Sequence, residues 1–362
     1  MNVNLEKICR GFFKDAEITG IEQIHNGHIN LTYRFAADGR DFILQRINTD
    51  IFRDAEGLMH NICAVTSFLR EKIKEAGGDP DRETLTVVKT AGGEDFLRDE
   101  SGIWRVYIYI TGAECYNRAE KPGMFGESAK AFGRFQNLLA GFDAKKLNET
   151  IKDFHNTPKR YENFVSALAE DKHGRAKDCG REINFYLARK TYCPLITERL
   201  ADGRLPVRVT HNDTKLNNVM IDTATGKGIC VIDLDTVMPG SMLYDFGDSI
   251  RFGASSAAED EKDLAKVYCV PELYSEYARG FISEMKQSIT QEEIKLLHDG
   301  AIMMTLECGM RFLTDWLEGD VYFRTSYEGQ NLDRARTQMK LVADMENRRE
   351  VFEKIISDAV NG

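Results

Sequence analysis

The sequence predicts a mixed α+β protein: a small β-rich N-terminal lobe followed by a larger, mainly helical C-terminal lobe. Three observations carry that expectation. Short strand-like runs separated by Gly- and Asp-containing turns fill most of the first 110 residues. Beyond Thr111-Gly112 the apolar residues recur at helical spacing instead. One hairpin pattern, Val219–Ile221 and Ile229–Ile232 flanking Thr225-Gly226, interrupts the helical half. The expected domains are therefore 1–110 and 111–362.

Taken in order, Ile18–Ile24 reads as a strand. Thr32–Ala36 and Phe42–Ile47 read as two more, joined across Asp38-Gly39, residues that tolerate positive φ. Leu58, Ile62, Val65, Leu69 and Ile73 share one helix face, and Gly77-Gly78 ends that helix. Leu85–Lys89, Asp95–Leu97 and Trp104–Ile110 follow as strands. In the last, Trp104, Val106, Ile108 and Ile110 alternate with Arg105, Tyr107 and Tyr109. In the helical half, Phe125, Ala129, Phe132, Phe135 and Leu139 mark one face, and Tyr161, Phe164, Val165 and Leu168 another. From Glu259 onward the period is mostly helical. Glu259-Asp260-Glu261-Lys262-Asp263 reads as a solvated helix face, and Arg348-Arg349-Glu350 as surface charge.

Composition narrows the function classes. A chain 42% apolar and 29% charged is neither disordered nor fibrous. With 48 Lys plus Arg against 58 Asp plus Glu, the net charge of −10 argues against a nucleic-acid partner. No apolar run approaches membrane-spanning length, and Met1–Lys7 lacks the apolar core of a signal peptide, so the expected location is cytoplasmic. The eight cysteines include no Cys-x-x-Cys pair and are expected to be reduced. The oligomeric state stays open, a monomer being compatible with everything above. An anionic ligand would need local compensation for the acidity of the whole.

The chemistry concentrates in His211-Asn212-Asp213-Thr214-Lys215-Leu216-Asn217-Asn218, followed by the hairpin and Asp233. Phosphoryl transfer from a nucleotide needs a carboxylate to orient the acceptor hydroxyl and take its proton. It also needs a divalent cation on the phosphates and positive charge near the transferring group. Asp213 is the candidate base. Asn218 and Asp233 offer hard oxygen ligands for Mg²⁺.

The pattern at His211, Asp213 and Asn218, with Asp233 beyond, resembles the catalytic loop of the kinase-like phosphotransferases. That superfamily holds aminoglycoside phosphotransferases, choline kinases and protein kinases. The resemblance implies a bilobal protein-kinase-like fold and ATP as co-substrate. It also implies Lys215 near the γ-phosphate and base recognition by backbone groups about Tyr109-Ile110-Thr111. A wider set of segments resembles the N-acetylhexosamine 1-kinases over about residues 20–345: Asn26–Asn30, Ile43–Gln45, Ile232–Ser241, Tyr244–Gly253 and Glu307–Phe312. This implies Mg²⁺-dependent phosphorylation of the anomeric hydroxyl of N-acetylglucosamine or N-acetylgalactosamine. Arg311 and Tyr322 would then contact the sugar with Asp213, as would His28 if the first hairpin folds over the phosphates. Two alternatives stand: another acceptor (choline, homoserine or an aminoglycoside), or a non-catalytic nucleotide-binding pseudokinase.

Departures from the general kinase plan are specific. No Gly-x-Gly-x-x-Gly occurs; Gly27, Asn30 and Thr32 are the candidate phosphate contacts. The strand position that usually carries a lysine reads Gln45 by alternation, with Arg46 as the alternative. The following helix reads Asn61-Ile62-Cys63-Ala64 at its middle and offers no obvious glutamate partner. Charge compensation is therefore expected from Lys215 and Mg²⁺. Asp245 is expected to order the loop around Asp213. Asp235 is expected either at a second Mg²⁺ or in a supporting role.

Overall fold

The computed structural model describes residues 3–25 and 29–362. Gly27 and His28, both named above as candidate contacts, lie outside the described residues. Two compact units interleave along the chain: residues 1–115, 138–152 and 218–239 form the first, and 116–137, 153–217 and 240–362 the second. The sequence-based division draws one boundary, at 110/111.

In the first unit, α1 (Leu5–Phe12) leads into β1 (Ile18–Ile24), β2 (Leu31–Ala37) and β3 (Arg40–Arg46). Asp38 (φ 49°) and Gly39 (φ 76°) make the two-residue turn between β2 and β3 that their tolerance of positive φ predicts. Next comes α2 (Ala55–Glu75), closed by the Gly77 and Gly78 N–H groups on the carbonyls of Lys74 and Ile73. Then β4 (Val87–Val88), β5 (Leu97–Asp99) and β6 (Gly102–Ile108) complete an antiparallel sheet of order β1-β2-β3-β6-β4, with β5 also on β6. A second sheet joins β7 (Ala113–Glu114) to the hairpin β8 (Val219–Asp222) and β9 (Gly228–Val231), in the order β9-β8-β7.

One face of the larger sheet forms an apolar core, where Phe35, Phe42, Leu44, Trp104 and Val106 pack with Ile8, Cys9 and Phe12 of α1. On the other face of β6, Arg105 and Tyr107 are also buried, at 1% and 5% exposed. Arg105 is held there by Gln45 and Asp235, and its guanidinium lies 5.2 Å from the Tyr107 ring centre. The β3–β6 register sets Gln45 directly opposite Arg105.

The second unit is helical: α3 (Met124–Leu138), α4 (Thr157–Glu170), α5 (Met242–Gly253), α6 (Pro271–Met285), α7 (Gln291–Glu318), α8 (Gln330–Asn347) and α9 (Arg349–Asn361). α4, α5 and α8 all pack on α7, which is why α7 is buried over most of its length. Gly247 of α5 and Gly300 of α7 permit an unusually close crossing; a Cβ at Gly247 would lie 2.5 Å from the Gly300 carbonyl oxygen. That crossing fixes the helix that supplies Asp245 and Asp248.

Two sequence expectations need correction here. Glu259–Asp263 is a turn rather than a helix face. Glu259 reaches the buried Arg251 at 2.7 Å, and its carbonyl accepts from Thr337, so long-range pairing overrides local helical pattern. Arg348 and Arg349 are half-buried clamps rather than free surface charge. Arg348 donates to the Cys269 carbonyl and pairs with Asp344, while Arg349 pairs with Asp299 at 2.8 Å. All eight cysteines are free thiols. No helix among the described residues is long and apolar enough to cross a membrane.

Candidate active site

In the second unit the strand Arg208–Thr210 delivers the chain to the loop that carries Asp213. Its entry is anchored by a buried ion pair: Glu293 of α7 accepts from Arg208 Nε at 2.6 Å and Nη2 at 2.8 Å. Asn212 then adopts φ 66°, a left-handed conformation that Asn tolerates better than most residues. Asp245 of α5 holds the loop in that shape. Its Oδ2 accepts from His211 N at 2.9 Å and from Gln136 Nε2 at 2.6 Å, and its Oδ1 accepts from Asn212 N at 2.8 Å. Thr214 Oγ1 donates to the Asp245 carbonyl at 2.6 Å. Burial raises the Asp245 carboxyl above the usual carboxylate range, and His211 with these donors restrains the rise. His211 Nδ1 accepts from Asp213 N at 3.3 Å, its ring edge-on to Phe132.

Asp213 and Lys215 project from this frame, with 29% and 32% of their side chains exposed, and Nζ stands 2.6 Å from Oδ1. Burial disfavours the Lys215 charge, yet Asp213 and Asp248 hold its pKa above the ordinary lysine value. Asp248 lies below its own ordinary value; burial opposes this, and Arg251 at 2.8 Å with Lys215 outweighs it.

Arg311 of α7 lies in the same unit among three rings, 5.3 Å from Phe323, 5.7 Å from Tyr322 and 5.9 Å from Phe154. Its Nη2 is 3.4 Å from Tyr322 Oη. One turn earlier, buried Glu307 accepts from His155 Nδ1 at 2.8 Å and from Thr157 Oγ1 at 2.5 Å. Asp315 shapes the segment bearing Tyr322. Its Oδ1 accepts from the Val321 and Tyr322 N–H groups, and its Oδ2 from Phe323 N and Asn331 Nδ2, all between 2.7 and 2.9 Å. Sequence reasoning named Arg311 and Tyr322 but missed the part played by Asp315, a buried carboxylate that no local pattern distinguishes.

The first unit holds Asn30, Thr32, Gln45, Tyr109, Ile110, Asn218 and Asp233. Asn218 and Asp233 leave the same end of the β8–β9 hairpin: Val219 pairs with Val231, and Ile232 N donates to the Asn218 carbonyl at 2.9 Å. The pair offers an amide and a carboxylate oxygen. Among the described residues no group of three or more His, Cys, Asp and Glu gathers to hold an ion. Those donors fit Mg²⁺, which takes few protein oxygens and keeps water and phosphate oxygens in its other positions.

A side-chain network surrounds the turn after Asp233. Arg105 donates to Gln45 Oε1 through Nε (3.0 Å) and Nη2 (2.8 Å), while its Nη1 is 2.6 Å from Asp235 Oδ1. Gln45 Nε2 donates to Thr32 Oγ1 at 3.1 Å. Asn30 Nδ2 donates to Asp235 Oδ2 at 2.6 Å, and Asn30 Oδ1 accepts from Asn48 N at 2.9 Å. Asp235 thus has one oxygen on each partner. Burial by itself would lower the Arg105 pKa, but Asp235 holds it above the usual arginine range. Gln45 therefore stands beside a cation. That cation comes from β6, and the only sequence signal was an arginine inside an apolar strand. Tyr109 lies under the Arg34 guanidinium, 4.4 Å from its ring centre, with its N–H on the Asp41 carbonyl; Ile110 is buried.

The model of the APH phosphotransferase enzyme family matches residues 20–280, and the chain belongs to that family. Solved structures agree on the fold. An aminoglycoside phosphotransferase from Alicyclobacillus acidocaldarius aligns with TM-score 0.59 and 12% identity, over 100% of this chain and 97% of that one. A choline kinase from Cryptosporidium parvum gives 0.54 and 15%, covering 97% and 96%. A spectinomycin phosphotransferase, solved with ADP and spectinomycin, gives 0.54 and 11%, covering 97% and 100%. The expected mixed α+β fold, with a β-rich N-terminal sheet and a larger helical part, is thus the fold of kinase-like phosphotransferases, and by its family the protein is a phosphotransferase.

Proposed function

We propose that the protein is an ATP-dependent, Mg²⁺-dependent N-acetylhexosamine 1-kinase, transferring the γ-phosphoryl group to the anomeric hydroxyl of N-acetylglucosamine or N-acetylgalactosamine. One observation carries the choice of acceptor: Arg311 sits among Phe154, Tyr322 and Phe323 in the unit that also bears Asp213. A guanidinium fork suits the oxygens of a neutral sugar, and aromatic rings suit its C–H faces. The same guanidinium repels the cationic acceptors, such as choline, on which relatives of this fold act.

In this mechanism Asp213 accepts the hydrogen bond of the sugar O1 and takes its proton as O1 attacks in line. Lys215 sets positive charge beside that carboxylate and on the transferring group. Asp245 keeps both residues in place through the loop backbone, so the nucleophile meets a preformed site. Arg311 and Tyr322 orient the sugar, joined by His28. From the first unit, Gly27, Asn30, Thr32 and Gln45 serve the phosphates, and the backbone at Tyr109 and Ile110 serves the base. Bound Mg²⁺ supplies charge neutralisation on the phosphates, with Asn218 and Asp233 as its protein ligands.

The test is ADP release over a panel of N-acetylglucosamine, N-acetylgalactosamine, glucose, galactose, choline, homoserine and kanamycin, with the product's phosphate position read by NMR. Turnover of an N-acetylhexosamine to its 1-phosphate is expected. Turnover of choline, homoserine or kanamycin alone would move the protein to another acceptor class. Phosphate on C6 would overturn the anomeric assignment, and nucleotide binding without turnover of any acceptor would leave a pseudokinase.

A further inference from the structure

We propose that Arg105 is a positioning residue for the metal-site turn, acting from β6 in a chain whose β3 has Gln45 where a lysine is usual. The inference rests on the nucleotide and Mg²⁺ reading above but not on the identity of the acceptor.

The argument starts at Asp233. Its backbone is left-handed, with φ 58° and ψ 58°. Asp tolerates that conformation better than most non-glycine residues, and it is kept where the surroundings hold the turn. The residues immediately after it are anchored from several elements. Asp235 Oδ1 is 2.6 Å from Arg105 Nη1, and its Oδ2 accepts from Asn30 at 2.6 Å. Two residues further, the Val237 carbonyl accepts from Asn61 Nδ2 at 2.9 Å; Asn61 is itself buried on α2 and bonded to Asn148. The turn is thus held from β6, from the segment before β2 and from α2.

Among these holders Arg105 alone spans both halves of the network. Its Nη1 faces Asp235 while Nε and Nη2 take Gln45 Oε1, which turns the Gln45 amide nitrogen towards Thr32. A planar guanidinium can address two acceptors in fixed directions at once; an ammonium on a flexible stem cannot hold both orientations. At 1% exposure the guanidinium is too buried to meet a phosphate itself. Its effect passes through Asp235 to the direction in which Asp233 presents its carboxylate.

The test separates positioning from simple stability. Calorimetric titration of ADP, in Mg²⁺ and in EDTA, is run beside thermal unfolding for wild type, R105M, R105M/D235N and R105K. In R105M, Asp235 is left buried without its cation, so the midpoint should fall; in R105M/D235N the charge is gone and most of the midpoint should return. The Mg²⁺-dependent gain in ADP affinity should not return, staying at least tenfold below wild type. R105K, which keeps the charge without the fork, should lose at least threefold of that gain. A wild-type Mg²⁺ gain in either R105M/D235N or R105K would overturn the proposal. Wild-type protein that takes up no ADP would instead overturn the nucleotide reading itself, and the inference with it.

Discussion

In the second unit buried carboxylates hold the functional segments through backbone N–H groups: Asp245 for His211 and Asn212, Asp315 for Val321, Tyr322 and Phe323. In the first unit the turn after Asp233 is held by side chains from separate elements, Arg105, Asn30 and Asn61. The difference has a physical consequence. A carboxylate caging backbone N–H groups fixes the path of a loop whatever side chains it displays, so the side chains of Asp213, Lys215 and Tyr322 are not consumed in holding their own segments. A side-chain network ties up the very groups it positions, and it fails if one strand shifts register. The second arrangement suits a site built from few ligands around an ion; the first suits a base and an acceptor pocket.

The largest effect that could break this comparison is at the base. Asp213→Asn keeps the shape of the side chain and removes its proton affinity, so kcat should fall about 10³-fold, about 4 kcal/mol. ADP affinity should stay within a few-fold of wild type. A loss below tenfold in stopped-flow or steady-state assays would mean that Asp213 is held for structure alone.

A pH prediction comes next. Burial holds the His298 imidazole down from 6.5 to about 4, with Nε2 near the Met345 carbonyl and its ring stacked on Phe352. The neutral ring therefore contributes its full stabilisation above pH 6.5. That contribution drains as the pH falls from 6.5 to about 4, a total of about 3 kcal/mol. Arg105, held above the arginine range, does not titrate in this window. Thermal midpoints measured from pH 7.5 to 4 should show a decline that His298→Gln flattens; equal slopes in the two proteins would refute it.

Lys215→Ala should cost about 10² in kcat, about 2.7 kcal/mol, because in the proposed mechanism the cation beside Asp213 compensates the phosphoryl charge. Turnover near wild type would assign that work elsewhere. The smallest effect is expected at Asp315. Asp315→Ala releases the Tyr322 segment and should raise the sugar KM about tenfold while kcat stays within about threefold. A kcat loss larger than the KM change would place that segment in the chemical step instead of in binding.

Much of this was legible beforehand, and the legible part is local. Asp38-Gly39 turns the β2–β3 hairpin, Gly77-Gly78 closes α2, and the β8–β9 hairpin sets Asn218 and Asp233 at one end. Each depends on backbone preferences expressed within a few residues. The spacing of His211, Asp213 and Asn218 was equally legible, and Asp245 as organiser of that loop followed from the resemblance of its segment, not from local preferences. Two expectations failed for one shared reason. The helical Glu259–Asp263 run and the surface charge at Arg348-Arg349 were both read from neighbours in sequence. Their distant partners are Arg251 with Thr337, and Cys269 with Asp299, and a buried or paired charge takes its environment from such groups.

By itself, then, the amino-acid sequence determined the secondary-structure elements, the class of fold and the chemical parts of a phosphotransferase, because periodicity, turn residues and motif spacing act at short range. Tertiary structure alone decided that Arg105 lies opposite Gln45, that Asp235 is spent on Arg105 and Asn30, and that Arg311 sits among three rings. Strand register and helix crossing bring together residues tens to hundreds of positions apart, and only there can a buried arginine find the carboxylate that keeps it charged.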